Sequence, residues 1–140
     1  MNKDEFKKVA KIYSRFASPW KKLIWEDILC SQGGGLNLLD AGGGFGRITN
    51  RLIDCFESIF IFDYSLPMLR RASTINKGVD RICGTVDWLP FPENSIDAII
   101  VVDAFHHFPN QKNALGSLLQ VLKPGGIFIL EDPDIRKFSV

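Results

Sequence analysis

The sequence has no long apolar run, little cysteine and almost no net charge. Its longest unbroken aliphatic stretch, residues 98–102, has the length of a strand, far short of the roughly eighteen apolar residues that a membrane-spanning helix requires. Three cysteines, Cys30, Cys55 and Cys83, cannot all pair with one another, and no two form a C-x-x-C unit. They read as reduced thiols in a cytoplasmic protein, with no disulfide framework and no metal site. The first five residues, Met-Asn-Lys-Asp-Glu, are too charged for a secretory signal. A net charge of +1 gives no electrostatic reason to expect nucleic acid or a membrane surface. No Gly-Lys dipeptide occurs anywhere, which excludes a P-loop.

What is present is an ordinary globular composition, 46% apolar and 24% charged, over 140 residues. That length and balance suit one domain spanning 1–140. The charge is unevenly spread: residues 1–25 carry +5 and residues 26–140 carry −4. A solvated helix face accounts for the basic end.

Residues 1–32 read as helical. Phe6, Val9, Tyr13 and Phe16 recur at spacings of three and four, Ser18-Pro19 interrupts, and Trp20, Leu23, Ile24 and Ile28 resume the pattern as far as Gly33-Gly34-Gly35. From residue 36 apolar strands alternate with helices. Strands are expected at 36–40, 58–63, 81–83, 96–102 and 127–130. Helices are expected from Phe45 through Ile48 and Leu52 to Cys55, from Ser65 to about residue 74, and over Ala114–Leu122. Strands that are apolar throughout, with helices between them, imply a parallel sheet covered on both faces. The expectation is an α/β, Rossmann-like, doubly wound sheet with helical N-terminal elements as a lid.

In such sheets ligands lie beyond the carboxyl ends of the strands, and each strand end here is polar. The first leads into Asp40-Ala-Gly42-Gly-Gly44-Phe-Gly46-Arg47. Glycines at 42, 44 and 46 allow a tight turn and let the backbone approach a ligand. A dinucleotide fingerprint would require glycine where Arg47 or Thr49 stands. The second strand ends at Asp63-Tyr64, where an acid can accept two hydrogen bonds from a ribose diol or cap the next helix. His106 and His107 follow the fourth strand. Neighbouring side chains should diverge, so at most one is expected to face the site. An imidazole suits proton transfer near neutrality, with a structural histidine as the competing role.

The segments "LLDAGGGFGRIT", "IFDYSLPML", "GTVDWLPFPENSIDAIIVVDAFHHF" and "LLQVLKPGGIFILEDP" together resemble class I S-adenosylmethionine-dependent methyltransferases. The likeness is to the small-molecule branch that includes the ubiquinone and menaquinone biosynthesis enzymes. It covers residues 36–133 and implies strand order 3-2-1-4-5. It also implies S-adenosylmethionine as cofactor, S-adenosylhomocysteine as product and a small-molecule methyl acceptor. Asp40, Gly42 and Gly44, with Gly46, would frame the methionine part of the cofactor. Asp63 would hold the ribose, and Tyr64 would lie against the adenine. Met68, Thr85, Val86 and Asp87 complete the expected cofactor contacts; Thr85 stands where the family usually has Asp. Asp103 would sit by the amino-acid end of the cofactor and the acceptor. His106 and His107 are the candidate catalytic residues, and Tyr13, Trp20 and His107 the candidate substrate contacts.

A nucleic-acid amino-methyltransferase is disfavoured, because Asp103-Ala-Phe-His106 replaces the Asp/Asn-Pro-Pro-aromatic motif. The alternative class is a non-catalytic binder of the same cofactor, or a truncated methyltransferase fragment. The family continues past its fifth strand with a helix and a hairpin. That strand is therefore expected as an exposed edge, and self-association is expected through it.

Overall fold

The structure, a computed structural model, describes residues 9–15, 24–32, 36–72 and 79–132. Its strands are β1 (Val9–Arg15), β2 (Asn37–Ala41), β3 (Ser58–Asp63), β4 (Val79–Cys83), β5 (Ile96–Val102) and β6 (Leu122–Glu131). Helices α1 (Ile24–Gln32), α2 (Thr49–Leu52), α3 (Leu66–Arg71) and α4 (Gln111–Val121) lie between them, with a 3-10 turn over Phe105–His107. All pairings are parallel and the order is β1-β6-β5-β2-β3-β4. The five strands from β2 onward thus run in the expected order 3-2-1-4-5.

Consecutive residues of the central strands face opposite layers, and both layers are apolar. Leu38, Ile59, Ile100 and Ile129 join Leu29 of α1 and Leu52 of α2 on one face. Leu39, Ile99, Val101 and Phe128 join Ala114, Leu115, Leu118 and Leu119 of α4 on the other. This two-sided burial is why these strands read as unbroken apolar runs. Two caps agree with the sequence. The Ser65 hydroxyl accepts from the Met68 N–H at the start of α3, with proline in the first turn. The Asn110 side chain accepts from Asn113 N–H at the start of α4.

Four expectations are corrected. Val9–Arg15 is a strand, so the three-and-four spacing of Val9 and Tyr13 does not make a helix there. Its backbone pairs with Gly126–Glu131 along the fifth strand of the core. An unpaired strand edge offers hydrogen bonds to a β-branched segment that local helical preference cannot match. The edge expected to be open is therefore covered by the chain itself, and self-association through it loses its premise. The glycine turn extends through residue 48 and leaves a single helical turn at Thr49–Leu52. Glycines at 42, 44 and 46 all have positive φ, which helix cannot continue. The last strand begins at Leu122, five residues before Ile127, because Lys123–Gly126 bulge out between the Ile96 and Ala98 pairings.

The fourth correction concerns the thiols. Cys30 at the end of α1 and Cys55 just past α2 form a disulfide, their Cα atoms 4.8 Å apart, while Cys83 is free and exposed. Cysteine count and spacing could not reveal it, because the two residues meet through the packing of Leu29 against Leu52 and Phe56. An ion pair between Arg51 and Glu26, 2.6 Å long, crosses the same junction.

Candidate functional site

The carboxyl ends of β2, β3 and β5 meet at one place, as parallel strands in register must. Ala41 pairs with Phe62, and Asp40 with Ile100. There the glycine turn folds over the end of β3. Gly42 N–H donates to the Phe62 carbonyl at 2.7 Å, and Gly44 N–H to Asp63 Oδ2 at 2.9 Å. The other Asp63 oxygen accepts from Ser65 N–H at 2.8 Å. Asp63 thus ties the glycine turn to the entrance of α3. Each carboxylate oxygen keeps a further lone pair for a ligand hydroxyl.

Sterics explain two of the glycines. A Cβ on Gly42 would stand 2.5 Å from the Ala104 Cβ, and φ there is +75°. A Cβ on Gly43 would meet the Asp40 carboxylate at 2.7 to 2.9 Å. Asp40 therefore lies beneath the turn and is buried, accepting from the Thr49 hydroxyl at 2.7 Å. Burial pushes its carboxyl from 3.8 up to about 6. The Thr49 hydroxyl opposes the rise, Asp63 adds to it and Arg47 offsets part of it. Asp40 supports the turn from below and does not line the opening.

In front of the turn lies a cavity of about 400 Å³ lined by Gly42, Phe62, Asp63, Tyr64, Gly84, Thr85, Val86, His107, Phe108 and Pro109. Six sequence candidates meet here: Gly42, Asp63, Tyr64, Thr85, Val86 and His107. Tyr64 is 76% exposed at the rim, where its ring is free to stack. Met68 is not in this lining and sits against Gly44, its Cε 3.1 Å from where a Cβ would be. Gly46 supports the turn through its N–H to the Gly43 carbonyl. Asp87 turns away: it meets the Thr85 hydroxyl at 3.3 Å and lines a groove with Trp88 and Lys112. Trp20, and the side chain of Tyr13, lie outside the described residues.

A second cluster forms where β5 and β6 end. Asp103, at a φ of 54°, pairs through Oδ2 with Arg47 at 3.0 Å. His106 Nδ1 stands 2.8 Å from Asp132 Oδ2, and Asp132 is fully buried. The two histidine rings do not diverge as adjacent residues in a strand would. In the 3-10 turn they stack, centroids 3.9 Å apart and tilted by 44°. Sequence reasoning gave no role to Arg47, beyond its exclusion of a dinucleotide fingerprint, or to Asp132. A signal for Asp132 existed: with Glu131 it ends an apolar strand, as Asp63 and Asp103 end theirs.

A methyltransferase domain family model matches residues 39–130. The demethylmenaquinone methyltransferase of Renibacterium salmoninarum is 28% identical over 113 residues, covering 81% of this chain and 47% of that protein. The ubiquinone/menaquinone biosynthesis C-methyltransferase UbiE of Wigglesworthia glossinidia brevipalpis is 36% identical over 121 residues, covering 77% of this chain and 48% of that protein. The chain thus spans about half the length of the curated relatives it matches. Among solved structures, an S-adenosylmethionine dependent methyltransferase from Mesorhizobium loti superposes with a TM-score of 0.63 at 28% identity, over 69% of this chain and 46% of that one. The trans-methyltransferase CalH, in complex with SAH, shares the fold with a TM-score of 0.66 at 19% identity, over 75% of this chain and 34% of its own.

Proposed function

We propose that this chain, which belongs to the methyltransferase domain family, transfers a methyl group from S-adenosylmethionine to a small-molecule acceptor. The observation that carries this reading is the junction of the glycine turn with Asp63 at the mouth of the cavity. A Cβ at Gly42 has no room there, and the Asp63 oxygens are held in place by two backbone N–H groups while keeping free lone pairs.

The residues fit the cofactor's parts. Asp63 would accept from the ribose hydroxyls, with Tyr64 and Val86 bordering the adenine and the Thr85 hydroxyl within reach of its polar edge. Arg47 and Asp103, of opposite charge and 3.0 Å apart, match the carboxylate and ammonium of the amino-acid end. When bound, the cofactor supplies an activated methyl group. The chain's part is to orient donor and acceptor and to exclude water. The acceptor side is formed by the ends of β5 and β6, and the names of the relatives make a quinol ring the first acceptor to test.

The test is transfer of a radiolabelled methyl group from S-adenosylmethionine to chemically reduced demethylmenaquinone. Label in the extracted quinone, dependent on protein, is the expected result. Cofactor binding without labelled product would remove the quinol and leave another acceptor to be found. Loss of both would overturn methyl transfer itself.

A further inference from the structure

Asp132 is a fully buried acid outside the cofactor contacts described above. Its Oδ2 accepts the His106 backbone N–H at 3.0 Å and lies 2.8 Å from His106 Nδ1. We propose that Asp132 is a positioning residue: it fixes His106 as the Nδ1–H tautomer and leaves Nε2 to take a proton from the methyl acceptor. This rests on the methyl-transfer reading and narrows it to acceptors that must lose a proton, such as a hydroxyl, an amine or an acidic carbon.

The tautomer follows from the geometry. Oδ2 accepts from the backbone N–H, and Asp132 is taken as the carboxylate, whose oxygens only accept. A carboxylate has no proton to give, and Nδ1 at 2.8 Å is therefore the donor. The contact also fixes the ring plane, since backbone and ring nitrogens of one residue bind the same oxygen. The His106 ring is 14% exposed and stacks on His107, which lines the cavity. His107 thus borders the opening, and His106, stacked on it, contacts the buried acid at the end of β6. Asp103, at the end of the neighbouring strand, is engaged by Arg47 instead, so the two strand-end acids hold different partners.

The chemistry balances. A bond forms between the acceptor atom and the methyl carbon. The carbon–sulfur bond breaks and its electron pair stays on sulfur, which loses its positive charge. The acceptor's proton passes to His106 Nε2, so that the imidazolium carries the charge the sulfonium gave up. Asp132 keeps its own proton state and stabilises that imidazolium across the 2.8 Å contact.

Imidazole nitrogen NMR on the full chain reads the tautomer without any substrate. The neutral His106 ring of the wild type should be protonated at Nδ1 and bare at Nε2. Asp132→Ala, which removes the acceptor of the His106 backbone N–H and of Nδ1, should shift the ring toward the Nε2–H form that an unpartnered imidazole prefers. S-adenosylhomocysteine titrated into the same variant should bind within twofold of wild type, because Asp132 lies outside the cofactor contacts. A wild-type ring protonated at Nε2, or a tautomer unchanged by Asp132→Ala, overturns the proposal. If that variant fails to fold, Asp132→Glu, which keeps the carboxylate, should retain the Nδ1–H form, and its loss there would count against the assignment. A wild type that shows the tautomer and yet takes up no S-adenosylhomocysteine would instead overturn the cofactor reading, and the proton-acceptor role with it.

Discussion

The two halves of the site are built by different means. The half around the glycine turn and Asp63 is assembled from neighbours: Gly44 and Asp63 are 19 residues apart, Asp63 and Ser65 two, Asp40 and Thr49 nine. The half at the ends of β5 and β6 is assembled from afar. His106 reaches Asp132 across 26 residues, and Arg47 reaches Asp103 across 56. The first half depends on backbone conformation that particular residue types permit. The second depends on which strand ends the topology brings together.

If that division holds, damage to the His106–Asp132 contact should fall on turnover, and damage to the local half on cofactor affinity or folding. The largest effect is expected from His106→Gln, which should lower turnover of an accepted substrate by about a hundredfold to ten-thousandfold. S-adenosylhomocysteine affinity should barely move in that variant. Equal losses in both would erase the distinction.

Asp40→Asn comes next and reads stability. Between pH 3.8 and about 6 the folded chain keeps a proton on Asp40 that the unfolded chain has lost. Asp40 therefore makes stability fall as pH rises through that window, by about 3 kcal/mol in all, with no further change above it. The asparagine keeps an acceptor for Thr49 and removes the buried charge. Its melting temperature should exceed wild type at pH 8 and approach it near pH 4. A variant offset by the same amount at both pH values would show that Asp40 is not the titrating group.

Asp63→Ala should weaken S-adenosylhomocysteine by roughly 2–3 kcal/mol, through loss of charge-assisted hydrogen bonds to the ribose and of the tie to Gly44. Calorimetry would check it, and unchanged affinity would refute the ribose assignment. Arg47→Gln bridges the halves and should cost least, roughly 1 kcal/mol of cofactor affinity, because its ion pair is half exposed. A loss as large as that of Asp63→Ala would mean Arg47 belongs wholly to the cofactor half.

The same division explains what could be read without coordinates. Ala98–Val102 and Ile59–Phe62 announced themselves as strands because burial on both faces demands consecutive apolar residues, and the Ser65 cap needed only local chemistry. The tight turn at Gly42 and the strand-end acid Asp63 at the entrance of α3 were legible because residue type dictates them. Val9–Arg15 was not, since its strand exists through pairing with residues more than a hundred positions away. The Cys30–Cys55 bond was hidden for the same reason. Asp132 was visible as a strand-end acid, but nothing in the sequence linked it to His106.

The central proposal is that the glycine turn and Asp63 form a cofactor site. Titration of the full chain with S-adenosylhomocysteine, followed by calorimetry, tests this most directly. Saturable binding of one molecule per chain, weakened by Asp63→Ala and insensitive to Asp132→Ala, is the predicted result. No heat of binding in the folded wild type would contradict it.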